Sequence, residues 1–185
     1  MSRITASFLM SLDGVVEAPQ DWNGQYFDER MGAIIGESIA ATDAFVMGRR
    51  TYEEWAAFWP HQDSASNPMA AAINGLPKHV ASTTLERVDW EGSTLIGGDV
   101  PQAVAALRDR YERDISISGS ATLVRSLLRA GVLDELRVMI HPIALGRGAR
   151  LFEEGIENLG LELVSSEALG SGVLYAVYRP VAQAG

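Results

Sequence analysis

The chain contains no cysteine. That absence removes disulfides, thiolate metal sites and cysteine nucleophiles, and it leaves the redox compartment open. Histidine is nearly as scarce, and His61, His79 and His141 are too dispersed for metal-ligand spacing, so no metal is expected. No stretch approaches the ~20 consecutive apolar residues of a membrane span. The first ten residues are broken by Thr5 and Ser7 and lack a signal-peptide core. A membrane is therefore not an expected partner, and the cytoplasm is the expected location. Positive charge is in deficit as well, with 15 Lys and Arg against 24 Asp and Glu and a formal net charge of -9. The resulting field repels nucleic acid, so a cation that meets a phosphate must act locally, inside a pocket. Also missing is a Gly-x-Gly-x-x-Gly run after the first strand, which disfavours a Rossmann dehydrogenase.

What is present is 185 residues, 47% of them hydrophobic, enough for one sizeable core and too few for two ordinary domains. A single domain over 1–185 is expected. Strand patterns fall at residues 4–10, 44–47, 78–82, 93–96, 115–118 and 135–141, and helical spacing at 28–41, 49–57, 101–111 and 121–130, with a short helix near 69–73. Gly131 is placed to stop the helix before it, and Pro142 to end a strand. Runs at 161–168 and 172–179 flank Gly170-Ser-Gly172, a hairpin signal. Alternation of strand and helix demands crossovers, whereas so short a turn forbids one. The expected fold class is α/β: a mixed, mostly parallel sheet flanked by helices on both faces, with a C-terminal antiparallel hairpin.

Two segments read as a buried strand, a glycine turn and a new helix. In Ala44-Phe-Val-Met-Gly-Arg-Arg-Thr-Tyr, Gly48 lets the backbone pass close to a ligand, and Arg49, Arg50 and Thr51 fall where free helix amides point outward. The second, Ile115-Ser-Ile-Ser-Gly-Ser-Ala-Thr-Leu-Val, repeats the device with Gly119, Ser120 and Thr122. A helix N-terminus favours an anion by roughly 0.3 to 1 kcal/mol, and an arginine hydrogen bond to phosphate adds roughly 1.5 to 3. Two such ends suit a dinucleotide. Similar junctions also occur in α/β domains that hold no ligand, where Arg-Thr at a helix start only caps it.

In this order, with Phe8-Leu-Met-Ser-Leu-Asp-Gly14 before them and Leu133-Asp-Glu-Leu136 and His141-Pro-Ile-Ala-Leu-Gly-Arg-Gly148 after, the segments give the chain a likeness. It resembles the dihydrofolate reductase-like superfamily, in particular the reductase domain of the bacterial riboflavin-biosynthesis deaminase-reductase, over nearly its whole length. The resemblance implies a dihydrofolate reductase-like fold and NADPH as cofactor. It matches Gly48, Arg49 and Thr51 to positions that touch the adenosine phosphates, Ser82 and Thr83 to those flanking the 2′-phosphate, and Gly119, Ser120, Ala121, Thr122 and Leu123 to those cradling the pyrophosphate. Related reductases often carry Gly-Gly where this chain has Gly119-Ser120. The implied reaction is reduction of the ribose of 5-amino-6-(5-phosphoribosylamino)uracil or of a small heterocycle. Dihydrofolate or pterin reduction, and a dinucleotide-binding module without turnover, stand as alternatives. A small-molecule substrate and a homodimer are implied partners.

Hydride transfer to an imine-like carbon needs a proton from an acid or an ordered water. The candidate acids are Asp13, Asp28 and Glu17. Asp13 in Ser-Leu-Asp-Gly is either that acid or a turn aspartate bonding its own backbone. Asp28, close to the dihydrofolate reductase acid in the likeness, is either the acid or an N-terminal helix residue. Gly14, His141, Gly146 and Arg147 follow strands and are candidates for substrate contact. His141 can equally close the end of the sheet, and Gly146-Arg147-Gly148 can equally be an ordinary turn.

Overall fold

The computed structural model describes residues 2–153 and 158–181. Eight strands form one sheet: β1 (Ile4–Ser11), β2 (Thr42–Gly48), β3 (Lys78–Ala81), β4 (Ser93–Ile96), β5 (Asp114–Ser118), β6 (Glu135–His141), β7 (Leu161–Ala168) and β8 (Leu174–Pro180). Their order is β4-β3-β2-β5-β1-β6-β8-β7. All neighbours pair in parallel except β8, which runs antiparallel to both β6 and β7. The fold is thus a mixed, mostly parallel sheet with a C-terminal antiparallel hairpin, as the pattern of crossovers and the short turn require.

Helices α1 (Glu29–Ala40), α2 (Arg49–Phe58) and α3 (Pro68–Gly75) cover one face, and α4 (Val100–Ala106) and α5 (Ala121–Arg129) the other. Successive residues of a strand point to opposite faces. In β2, Val46 accordingly joins the core with Val104 of α4 and Leu127 of α5, while Phe45 and Met47 join Tyr52 of α2 and Ile73 of α3. Helix α5 buries Leu123, Val124, Leu127 and Leu128, a stripe of helical period. Full burial of a leucine such as Leu127 stabilises by roughly 1.5–3 kcal/mol. The helix ends at Gly131, whose positive φ of 65° lets the Val132 amide turn back to the Leu127 carbonyl at 2.9 Å.

At the start of β3, Lys78 is fully buried, and its ammonium donates to the carbonyls of Asn74 at 2.7 Å and Glu91 at 3.2 Å. It also lies 4.3 Å from the centre of the Trp90 ring. Burial pushes its pKa down to about 8.

The parallel strands β1, β2, β3, β5 and β6 deliver the loops that follow them to one end of the sheet, where ligands bind in open α/β folds. Among the described residues, no helix is long and apolar enough to cross a membrane, and no three His, Asp or Glu side chains are placed to hold a metal ion.

Candidate active site

A cleft of about 1110 Å³ opens over the face covered by α1, α2 and α3 and reaches the carboxyl ends of the strands. Its outer end is built from the two glycine turns, which interlock. A Cβ on Gly48 would lie 2.7 Å from Ser120 Cβ, and one on Gly119 would lie 3.2 Å from Thr51 Oγ1. The peptide between Gly119 and Ser120 is cis.

How the helices begin separates these turns from the rest. Asp28, Asn67 and Asp99 cap α1, α3 and α4 with side-chain oxygens. Neither α2 nor α5 has a side-chain cap or an acid in its first turn. Their first residues line the cleft and their first amides have no side-chain acceptor, an arrangement that can receive an anion. Arg49 stands at the start of α2 and pairs with Glu53 one turn on, at 2.9 Å. Both side chains are more than a third exposed, and such a pair contributes only about 0.3–0.5 kcal/mol, which leaves the guanidinium free to swing. Gly48, Arg49, Thr51, Ser82, Thr83 and every residue from Gly119 to Leu123 line this one cleft.

The residues named for acid chemistry and substrate contact fall elsewhere, apart from Glu17. Neither Asp13 nor Asp28 lines the cleft. Asp13 accepts the Leu145 amide at 3.0 Å, the Gly146 amide at 2.8 Å and the Ser11 hydroxyl at 2.7 Å. These donors hold its carboxyl well below the usual carboxylate range, and it staples the loop after β1 to the loop after β6. Asp28 caps α1 through the Met31 amide at 2.8 Å and takes the Ser171 amide at 3.0 Å, which lowers its pKa too. For Asp28 the geometry shows the helix cap, whereas Asp13 bonds mainly the amides of the loop after β6 rather than the backbone of its own turn. A carboxylate held ionised by backbone donors does not release a proton at neutral pH.

His141, Gly14, Gly146 and Arg147 are also outside the cleft lining. His141 is fully buried, with Nδ1 beside the Met139 and Met10 carbonyls at 2.9 and 3.3 Å and the rings of Trp22 and Tyr26 edge-on against it. Its Nε2 has no partner among the described residues, and burial lowers its pKa. Gly146 gives its amide to Asp13, and Arg147 is exposed on the same loop. Glu17 does line the cleft, and its carboxylate accepts the Ala149 amide at 2.9 Å.

The inner end was not read from the sequence. Arg137 of β6 is buried at 9% exposure and lines the cleft. Its Nη2 donates to Asp114 and Glu135, each at 2.8 Å, and Arg3 closes the ring by pairing with both acids at 3.0 and 2.7 Å. Alternation along β6 was the available signal, since Glu135, Arg137, Met139 and His141 share one face and Leu136, Val138 and Ile140 the other. An arginine in the middle of a central strand needs acids nearby.

Comparisons with known proteins bear on the family and the fold. Residues 2–175 match the model of the RibD C-terminal domain, and the chain belongs to that family. The uncharacterized Bacillus subtilis protein YyaP is 26% identical over 182 residues, spanning 96% of this chain and 94% of its own. A putative riboflavin biosynthesis protein from Shewanella superposes with a TM-score of 0.74 at 22% identity, covering 98% of this chain and all of its own. Dihydrofolate reductase from Enterococcus faecalis, solved with NADP(H), superposes with a TM-score of 0.63 at 16% identity over 96% of each chain. Family and fold are those of reductases, and the fold is dihydrofolate reductase-like.

Proposed function

We propose that the chain is an NADPH-dependent reductase of a small nitrogen heterocycle or ribosylamino-pyrimidine, of the kind that reduces 5-amino-6-(5-phosphoribosylamino)uracil. The observation that carries the reading is the pair of uncapped helix N-termini, α2 and α5, interlocked through Gly48 and Ser120 at one cleft. The residues fit the cofactor. The free amides and the Ser120 and Thr122 hydroxyls would hold the pyrophosphate, and Arg49 with Ser82 and Thr83 would hold the 2′-phosphate, the group that separates NADPH from NADH. Bound there, NADPH supplies a hydride to an electron-poor ring or imine-like carbon. Of the three candidate carboxylates Glu17 alone lines the cleft, where, held by the Ala149 amide, it would position an ordered water that delivers the proton. The reading includes a single domain acting as a homodimer in the cytoplasm.

Titration of tryptophan fluorescence tests the cofactor, because Trp55 and Trp59 line the cleft. NADPH is expected to quench at micromolar levels and NADH only at far higher ones. Arg49→Ala should weaken NADPH by roughly ten- to a hundredfold, the value of a hydrogen bond between arginine and phosphate, and NADH by a few-fold at most. Equal affinity for the two cofactors would sink the assignment. One observation favours a second reading, a dinucleotide-binding module without turnover: Asp13, the acid with the best-matched motif, and Asp28 are both engaged in structure. Loss of NADPH absorbance over a panel of pterins, pyrimidines and quinones separates the two, and Glu17→Gln should lower kcat with little change in KM.

A further inference from the structure

The inner end of the cleft differs chemically from the outer end. Ser7 of β1 and Arg137 of β6 are in register, as are Met139 of β6 and Tyr175 of β8, and all four belong to the cleft-side face of the sheet. Ser38 of α1 meets Arg137 Nη1 at 3.5 Å. The guanidinium's Nε and Nη2 are committed to Glu135 and Asp114, so Nη1 is the edge left for a ligand. Two arginines and two acids close the ring, so its formal charges cancel.

The hydroxyls nearby are also committed. Thr42 donates its proton to the Ser38 carbonyl at 2.8 Å, so Ser116, 2.7 Å from the same hydroxyl, must be the donor to Thr42. Ser38 Oγ accepts from Arg137 and keeps its own proton free. The Tyr175 hydroxyl has no protein partner among the described residues, and burial pushes its pKa up, so it stays a protonated donor. Arg137 Nη1, Ser38 Oγ and Tyr175 Oη thus offer protons to this end of the cleft while no net positive charge stands behind them.

Resting on the reading of the cleft as a reductase site, we propose that Arg137, with Ser38 and Tyr175, determines specificity by donating to an uncharged carbonyl oxygen on the substrate's ring. A phosphate here would be desolvated beside Asp114 and Glu135 with no unpaired cation to offset it. A ring amine would set N–H against N–H and leave buried donors unmatched. A carbonyl oxygen, with two lone pairs and no charge, meets both conditions. A substrate that carries a phosphate must therefore direct it away from Arg137.

The test compares rings that differ by a carbonyl replaced by an amine: uracil against cytosine, and pterin against diaminopteridine. Binding is measured by calorimetry on the full chain, with and without saturating NADPH. The carbonyl ring is expected to bind at least tenfold more tightly in one pair or both. Ser38→Ala and Tyr175→Phe leave the charge ring intact and should each shrink that preference about threefold. Arg137→Lys, which keeps the charge but loses the planar edge, should abolish it. Equal or tighter binding of the amine rings overturns the proposal. So does a preference untouched by Ser38→Ala, competition of the carbonyl ring by inorganic phosphate in NADPH-saturated protein, or failure of all four rings to bind. NADPH affinity, read on the same samples, tells the two claims apart. If NADPH fails to bind while the carbonyl preference holds, the reductase reading fails and this one stands. If NADPH binds and the preference is absent, the reverse holds.

Discussion

The two ends of the cleft use arginine in opposite ways. At the outer end Arg49 is loosely paired to one exposed acid and stands beside helix amides that no side chain caps, which on the proposed reading leaves positive potential for a phosphate. At the inner end Arg137 is buried, tied to two acids and balanced by a second arginine, so only the direction of its hydrogen bonds remains to be read. A guanidinium is therefore an anion site or a neutral donor according to the charges already around it. Counting arginines near a pocket does not reveal which.

The largest expected effect breaks the inner end. Asp114→Ala leaves Arg137 buried with one acid, and loss of one partner from a buried pair costs about 3–5 kcal/mol. The low end is expected, because Arg3 is half exposed and admits water to the ring. Urea unfolding measures it, and a change under 1 kcal/mol would show that the ring is dispensable. At the outer end, Gly48→Ala forces its new methyl onto Ser120 Cβ, 2.7 Å away, with an expected loss of about 1–3 kcal/mol and of NADPH affinity. Adding Ser120→Gly removes the obstructing atoms and should restore most of both. A double variant no better than the single one would mean the turns do not interlock.

The smallest effect lies outside both ends. His141 and His79 are buried with lowered pKa values. Below pH ~6.5 the unfolded chain takes up protons these native side chains refuse, so stability present above that pH is lost as pH falls. His141→Gln should flatten this slope in part between pH 7 and pH 5, read by urea unfolding at the two pH values. The carboxylates Asp13 and Asp28 act in the same direction only at lower pH, near and below the ordinary aspartate range. An unchanged slope would assign the effect to His79.

The outer end was legible in the sequence because its parts are local: a strand, a glycine and a helix within ten residues of one another. The hairpin at Gly170-Ser-Gly172 was readable for the same reason, and Gly172 adopts the positive φ such a turn needs. The inner end was hidden because its partners are distant in the chain. Arg137 meets Asp114, Ser38 and, through shared acids, Arg3, and only strand register brings them together. Asp13 and Asp28 show the converse limit. Their motifs are local and clear, yet whether each carboxylate works on substrate or on backbone was decided by loops more than a hundred residues away, at Leu145 and Ser171.

The contact between Gly48 and Ser120 has a consequence for descent. Because the serine fills the space a side chain at position 48 would need, position 48 can gain a side chain only where position 120 has none. A lineage that enlarges position 48 must first strip position 120, whereas position 120 is free to shrink on its own, so the order of the two changes is set by the contact.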